Sequence, residues 1–133
     1  MTIHSIVELL KYKWKAKGRH GIHSPFVYNL VDIGLKGTGS TEQKIKKYLK
    51  DYQIQLIDSS PGNWSAQFES SLPQATGNVM IWIQNIHQTK QHTQAWTEIY
   101  MSGPVSLSLD LYDFGLLFFN KDIKEKQHFV LKK

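Results

Sequence analysis

Cysteine is absent from this 133-residue chain. That excludes a disulfide framework, a thiolate metal site and a thiol nucleophile, and it suits a reducing compartment. Long apolar runs are missing as well. No segment approaches the roughly 20 apolar residues that span a bilayer, and the N-terminus lacks the apolar core and small-residue cleavage site of a secretory signal. A cytoplasmic protein with no membrane partner is therefore expected. Proline occurs four times, and neither an internal repeat nor a low-complexity linker interrupts the sequence. At 41% hydrophobic content, residues 1–133 are expected to form one domain with a buried core of its own.

Acidic residues are in the minority, 11 against 16 Lys and Arg, for a formal charge of +5. Five of the cations are clustered: Lys11, Lys13, Lys15, Lys17 and Arg19 alternate with Tyr12 and Trp14, and only Glu8 offsets them nearby. Such a stripe suits a polyanion or an acidic partner. Lysines of this kind also keep an exposed helix face soluble, and no nucleic-acid-binding motif accompanies them. Nucleic acid is accordingly the lesser expectation.

Apolar periodicity gives the element order. Ile3, Ile6, Val7, Leu10 and Trp14 line one face of a helix that Gly18 stops. Ser24-Pro25 starts a second helix, with Phe26, Leu30 and Ile33 inward alongside Val27 and Val31. Ser40 or Thr41 caps a third, on which Ile45, Tyr48, Leu49 and Tyr52 face inward while Lys44, Lys46, Lys47 and Lys50 stay wet. Gln53–Asp58 reads as a short strand, residues 59–63 as a loop, and Trp64–Leu72 as a helix ended by Pro73. The unbroken apolar run Val79–Ile83 marks a strand covered on both faces. A helix over Lys90–Met101 follows. Val105, Leu107, Leu109 and Leu111 alternate with small or polar residues, a half-buried strand. Tyr112–Gly115 turns the chain into Leu116–Phe119, and His128–Leu131 is a last strand. Helices followed by alternating strands and helices, then a hairpin, predict an α/β fold with a mixed sheet.

Particular stretches carry a resemblance. Arg19-His-Gly-Ile-His-Ser-Pro-Phe-Val27, Ile57-Asp58, Ile81-Trp-Ile-Gln-Asn-Ile-His87, Trp96-Thr-Glu-Ile99, Leu109–Phe119 and Gln127-His-Phe-Val-Leu131 together resemble a bacterial family of class I S-adenosylmethionine-dependent methyltransferases. The likeness covers residues 19–27 and 53–131. It implies a Rossmann-like fold in which residues 1–36 are N-terminal helices and residues 53–133 are the C-terminal half of the family's sheet, closed by an antiparallel hairpin.

The family's cofactor half has no counterpart. A Rossmann-like site needs a glycine-rich turn between a strand and a helix, and an acid at the end of the next strand to hold the ribose. Residues 36–52 are too few for three strands and their helices, since one βαβ unit alone takes about 30 residues. Gly37-Thr-Gly39 is no substitute, because helix and loop precede it instead of a strand. The resemblance thus implies a shortened methyltransferase fold, with no cofactor expected and S-adenosylmethionine bound only if the chain is active.

By position, the resemblance puts Asp58 at the end of the family's fourth strand, and Gln84, Asn85 and His87 at the end of its fifth. Gln84 stands where an aspartate is usual. One carboxylate and two neutral amides hold a hard cation weakly, so no metal is expected. If the chain is an enzyme, Asp58, Asn85 and His87 are its active-site residues, with His87 as a base near neutral pH. Otherwise His87 is a loop histidine kept from an ancestral site. His20 and His23 are expected to fix the loop before the second helix. His4, His92 and His128 show no partner in the sequence, and Asp110 and Asp113 read as ordinary turn residues.

Three functions follow as expectations. The first is a degenerate, non-catalytic relic serving as a scaffold or partner-binding domain. Without its usual neighbour, the edge of strand Gln53–Asp58 would be open to pairing; it is expected to be covered by the N-terminal segment or paired with a second copy, and a homodimer is the expected outcome. The second is an active methyltransferase whose pocket is completed by the N-terminal helices or a second subunit. The third is a basic nucleic-acid accessory protein using Lys11 to Arg19.

Overall fold

The computed structural model describes residues 24–72, 78–120 and 125–131. The first expected helix, the Lys11–Arg19 stripe, His4, His20, His23 and Pro73 lie outside them. The chain divides into two compact units, Met1–Asp51 with Lys133, and Tyr52–Lys132.

In the first unit, α1 (Ser24–Asn29) runs into a π-helical turn, Leu30–Gly34. The Leu35 N–H bonds the Leu30 carbonyl at 3.1 Å, an i to i+5 link that widens the turn. The widening corrects the expected apolar face. Val27, Leu30 and Leu35 are buried, but Ile33 is turned out and 59% exposed. Helix α2 (Thr41–Tyr48) starts as its sequence dictates: the Ser40 hydroxyl accepts from the Gln43 N–H, and the Gln43 side chain accepts from the Ser40 N–H. Its buried positions are Ile45 and, at the cap, Leu49. Between the helices, Gly37 and Gly39 take φ of +92° and +111°, which glycine adopts without penalty.

The second unit is a mixed α/β domain of the general Rossmann-like kind. Strands β1 (Gln53–Ile57), β2 (Val79–Gln84), β3 (Leu107–Asp110), β4 (Phe114–Phe118) and β5 (Gln127–Val130) form one sheet in the order β1-β2-β4-β3-β5. β1 and β2 are parallel, β4 runs antiparallel to both β2 and β3, and β5 is parallel to β3. A single 3₁₀ turn, Pro61–Asn63, leads into α3 (Trp64–Ser71), which links β1 to β2. Helix α4 (Lys90–Tyr100) links β2 to the β3–β4 hairpin.

Both helices pack on one sheet face. Trp64 and Phe68 of α3 and Trp96 and Ile99 of α4 close over Ile57, Ile81, Ile83 and Leu117. Burying each such side chain contributes about 1.5–3 kcal/mol. The opposite face is buried as well: Trp82 stacks on Phe114 at 4.3 Å, with Met80, Leu116 and Phe118 beside them. β2 is covered on both faces, as its apolar run predicts.

β3 departs from expectation. All four of its residues are buried, Ser108 and Asp110 included. The cause is α4: Ser108 and Asp110 share the sheet face of Leu117 and Gly115, against which Trp96 of that helix packs. Ser108 meets this by bonding His128 Nδ1 at 2.6 Å, and the His128 ring stacks on Tyr100 at 3.9 Å. Among the described residues, no helix is long and apolar enough to cross a membrane.

Candidate functional site

The carboxyl ends of β1 and β2 flank an open cleft of about 490 Å³. Open α/β sheets place their ligands at such strand ends. Asp58, Ser59, Ser60 and Pro61 form the β1 side, Gln84, Asn85 and Gln88 form the β2 side, and His92 adds an imidazole. The wall behind Asp58 is locked from within. The Trp64 indole donates to the Ser59 carbonyl at 2.8 Å, and the Ser59 hydroxyl donates to the Gln67 amide oxygen. His92 stands in a second set of contacts, edge-on to Trp64 and hydrogen-bonded to Thr89 Oγ1 at 2.7 Å. Its partners come from the helix cap and from α3, neither of which the isolated histidine announces.

Asn85 holds its position with a left-handed backbone, φ +61°, a conformation asparagine tolerates better than most residues. Its N–H donates to the Asp113 carbonyl at 2.7 Å, tying the end of β2 to the hairpin turn. Asp58 and Asn85 therefore line the cleft from opposite sides.

His87 does not line the cleft. Its Nε2 lies 2.6 Å from Asp110 Oδ2, and its Nδ1 lies 2.9 Å from Thr93 Oγ1 in the first turns of α4. The Asp110 carboxylate only accepts, so Nε2 carries the hydrogen; in the neutral ring Nδ1 then accepts from the Thr93 hydroxyl. Asp110 Oδ1 in turn accepts the Tyr112 N–H at 2.9 Å, closing a turn in which Tyr112 has φ +71° and its ring leans over His87. The Asp110 side chain is only 8% exposed and that of His87 22%.

This hydroxyl–imidazole–carboxylate chain is largely buried at its Asp110 end, and the sequence conceals it. Thr93, His87 and Asp110 come from a helix, a crossover loop and a strand end. The one available signal was an aspartate on a strand of otherwise apolar and small residues. Chemically, the chain can orient an imidazole or polarise a hydroxyl. Structurally, it fastens the β2–α4 loop to the hairpin. Both ring nitrogens of His87 are engaged within the protein. Among the described residues, no three His, Asp or Glu side chains gather where a metal ion would sit.

Comparison with protein-family models, with curated proteins and with solved structures finds no match.

Proposed function

We propose that this chain is a methyltransferase-like scaffold, non-catalytic in itself, whose partner is a second copy docked along the edge of β1. The observation that carries this reading is the composition of that edge. β1 is the outermost strand on its side of the sheet, paired among the described strands with β2 alone. Its residues Gln53-Ile-Gln-Leu-Ile57 contain no charge and no proline, and Ile54 and Leu56 are 37% and 55% exposed on one face. Proteins that stay monomeric guard such edges with lysine, proline or a bulge. This edge has none of the three.

A two-fold axis at Gln55 would extend the sheet antiparallel and set Ile54 opposite the partner's Leu56. Pairing of this isologous kind satisfies strand edge and apolar side chains together. The engaged nitrogens of His87 and the neutral Gln84 support a role outside catalysis. The prediction is a dimer by multi-angle light scattering that Leu56→Lys converts to monomer with the fold intact by circular dichroism. A wild-type monomer at high concentration, or a Leu56→Lys dimer, would remove the proposal.

The cleft favours a second reading. Asp58 and Asn85 face each other at the strand ends where a methyl donor or acceptor would lie, and a completed pocket there would make the chain an S-adenosylmethionine-dependent enzyme. Isothermal titration with S-adenosylmethionine and S-adenosylhomocysteine separates the readings. No heat from a dimeric sample is the expected result. Saturable binding that Asp58→Asn abolishes would replace the scaffold with the enzyme.

A further inference from the structure

The cleft between the ends of β1 and β2 holds more hydrogen-bonding capacity than the protein itself uses. Among the described residues, no hydrogen bond engages the side chains of Asp58, Asn85 or Gln88, all of which line it. The His92 ring is engaged at Nδ1, by Thr89 Oγ1 at 2.7 Å. The Thr89 hydroxyl also accepts the His92 N–H at 3.2 Å and turns its own hydrogen to Nδ1, so in the neutral ring Nε2 carries the hydrogen. The walls thus combine a carboxylate that only accepts, amides that donate and accept, and an imidazole N–H that donates. Pro61 adds an apolar surface beside them.

These groups stand on fixed positions. Asp58 precedes Ser59, whose carbonyl the Trp64 indole holds at 2.8 Å. Asn85 is one of two non-glycine residues with a positive φ among the described residues. A left-handed side-chain-bearing residue persists only where its surroundings impose it, and such residues gather where ligands are held. Here the Asn85 N–H is tied to the Asp113 carbonyl at 2.7 Å, and the Asn85 carbonyl accepts the Gln88 N–H at 3.2 Å. That second bond closes a turn from which both amides reach the cleft. His92 leans edge-on against the buried Trp64. Groups held in place before a ligand arrives lose less on binding it.

We infer that this cleft binds a neutral cyclic polyol of monosaccharide size, its hydroxyls on Asp58, Asn85 and Gln88 and its C–H face on Pro61 and the His92 ring. Every hydroxyl both donates and accepts, which is what walls of mixed polarity require. A planar carboxylate or amide offers two polar atoms side by side, the spacing of neighbouring ring hydroxyls. An anion would stand against the Asp58 carboxylate. A cation would meet the donors of the amides and the imidazole, on a chain whose formal charge is already +5. The volume of about 490 Å³ lies within the range of small-molecule sites. The inference rests on neither the β1 dimer nor the methyl-transfer reading.

The test titrates the full chain with glucose and with myo-inositol, read by saturation-transfer NMR of the ligand protons. Cyclohexanol, with a single hydroxyl on the carbon frame of inositol, is the control. Binding with a Kd of about 1 mM is expected from about three or four net hydrogen bonds. Asp58→Asn should weaken it about tenfold, because bonds to a charged acceptor are the stronger ones. Asn85→Gly keeps the left-handed backbone and removes only the amide, and should cost about fivefold. Glu69→Gln, at an exposed position of α3 outside the cleft, should change nothing. Leu56→Lys should also leave binding unchanged, so the dimer and this cleft fail separately. No saturation by either polyol at about 20 mM would overturn the inference. Binding that survives Asp58→Asn and Asn85→Gly together would do the same, as would cyclohexanol bound as tightly as inositol. Saturable S-adenosylmethionine binding that Asp58→Asn abolishes and neither polyol competes with would give the cleft to the enzyme reading instead.

Discussion

Gly115→Ala is expected to destabilise the domain by about 3 kcal/mol, at the upper end of ordinary overpacking costs. Two effects oppose each other at this position. Alanine is the better strand residue, and replacing an interior glycine by it gains about 0.5–1 kcal/mol from backbone entropy. Against this, a methyl at Gly115 would lie 2.6 Å from Trp96 Cζ3 and 2.8 Å from Cζ2, and closer still to Cη2. Trp96 is 1% exposed and packed among Ile83, Ile99 and Leu117, so the ring has no open side into which to move. The overlap therefore wins. Guanidinium unfolding of the two proteins measures the difference. The mechanism is tested by Trp96→Leu in both backgrounds. Alone, that change costs about 3 kcal/mol through the cavity it leaves. With Gly115→Ala it removes the clashing atoms, so the pair should be more stable than the sum of the single changes by at least about 1 kcal/mol. The indole Nε1 is buried with no hydrogen-bond partner among the described residues, so no lost bond obscures the comparison. Strict additivity would mean that the strand, and not the ring, absorbs the strain.

Gly115 also shows what was legible in the sequence. It reads as the end of a turn, Tyr112-Asp-Phe-Gly115, with the strand beginning at Leu116. In the structure β4 already begins at Phe114, and the glycine is a strand residue kept small by a tryptophan 19 positions earlier in the chain. Local signals were reliable wherever the cause was local. The Ser40 cap, the Trp64 helix, the apolar run of β2 and the hairpin all stand within a residue or two of where periodicity and turn chemistry put them. The misreadings have two origins, a local departure from the α-helical repeat and contacts between distant segments. Ile33 faces outward because of a π-helical turn, and periodicity at 3.6 residues cannot report that. Ser108 and Asp110 look like the wet side of a strand until α4 is placed over that face. Asp58 and Asn85 each follow directly on a strand, β1 and β2, and so come to the same cleft.

Asp110 should prove the most costly polar residue of the domain to remove. Asp110→Ala withdraws the acceptor from the His87 Nε2–H and from the Tyr112 N–H at once. A hydrogen bond to a charged group contributes about 1.5–3 kcal/mol, and water recovers part of that at the 22%-exposed His87 side chain. A net loss of about 3 kcal/mol is expected. The loop from Asn85 to Thr89 should become the first part of the sheet's carboxyl end to exchange its amides, because the hydrogen bond from His87 to the strand end is lost while that from the Asn85 N–H to the Asp113 carbonyl stays. Asp110→Asn separates charge from hydrogen-bond pattern. Its amide oxygen can still accept from Tyr112, but its NH₂ then faces Nε2, so the imidazole must move its hydrogen to Nδ1 and donate to Thr93 Oγ1. The hydroxyl can reverse its role because it both donates and accepts, so the loss should be nearer about 1 kcal/mol, with a change of His87 tautomer visible in its ring nitrogen shifts. If Asn costs as much as Ala, the carboxylate charge and not the bonding pattern holds the loop. If Ala costs under about 1 kcal/mol, the Thr93–His87–Asp110 chain is not what fastens the β2 end to the hairpin. A network that cheap to break, with so little of it open to solvent, would then need another reason to exist, and the hydroxyl it polarises on Thr93 would be the place to look.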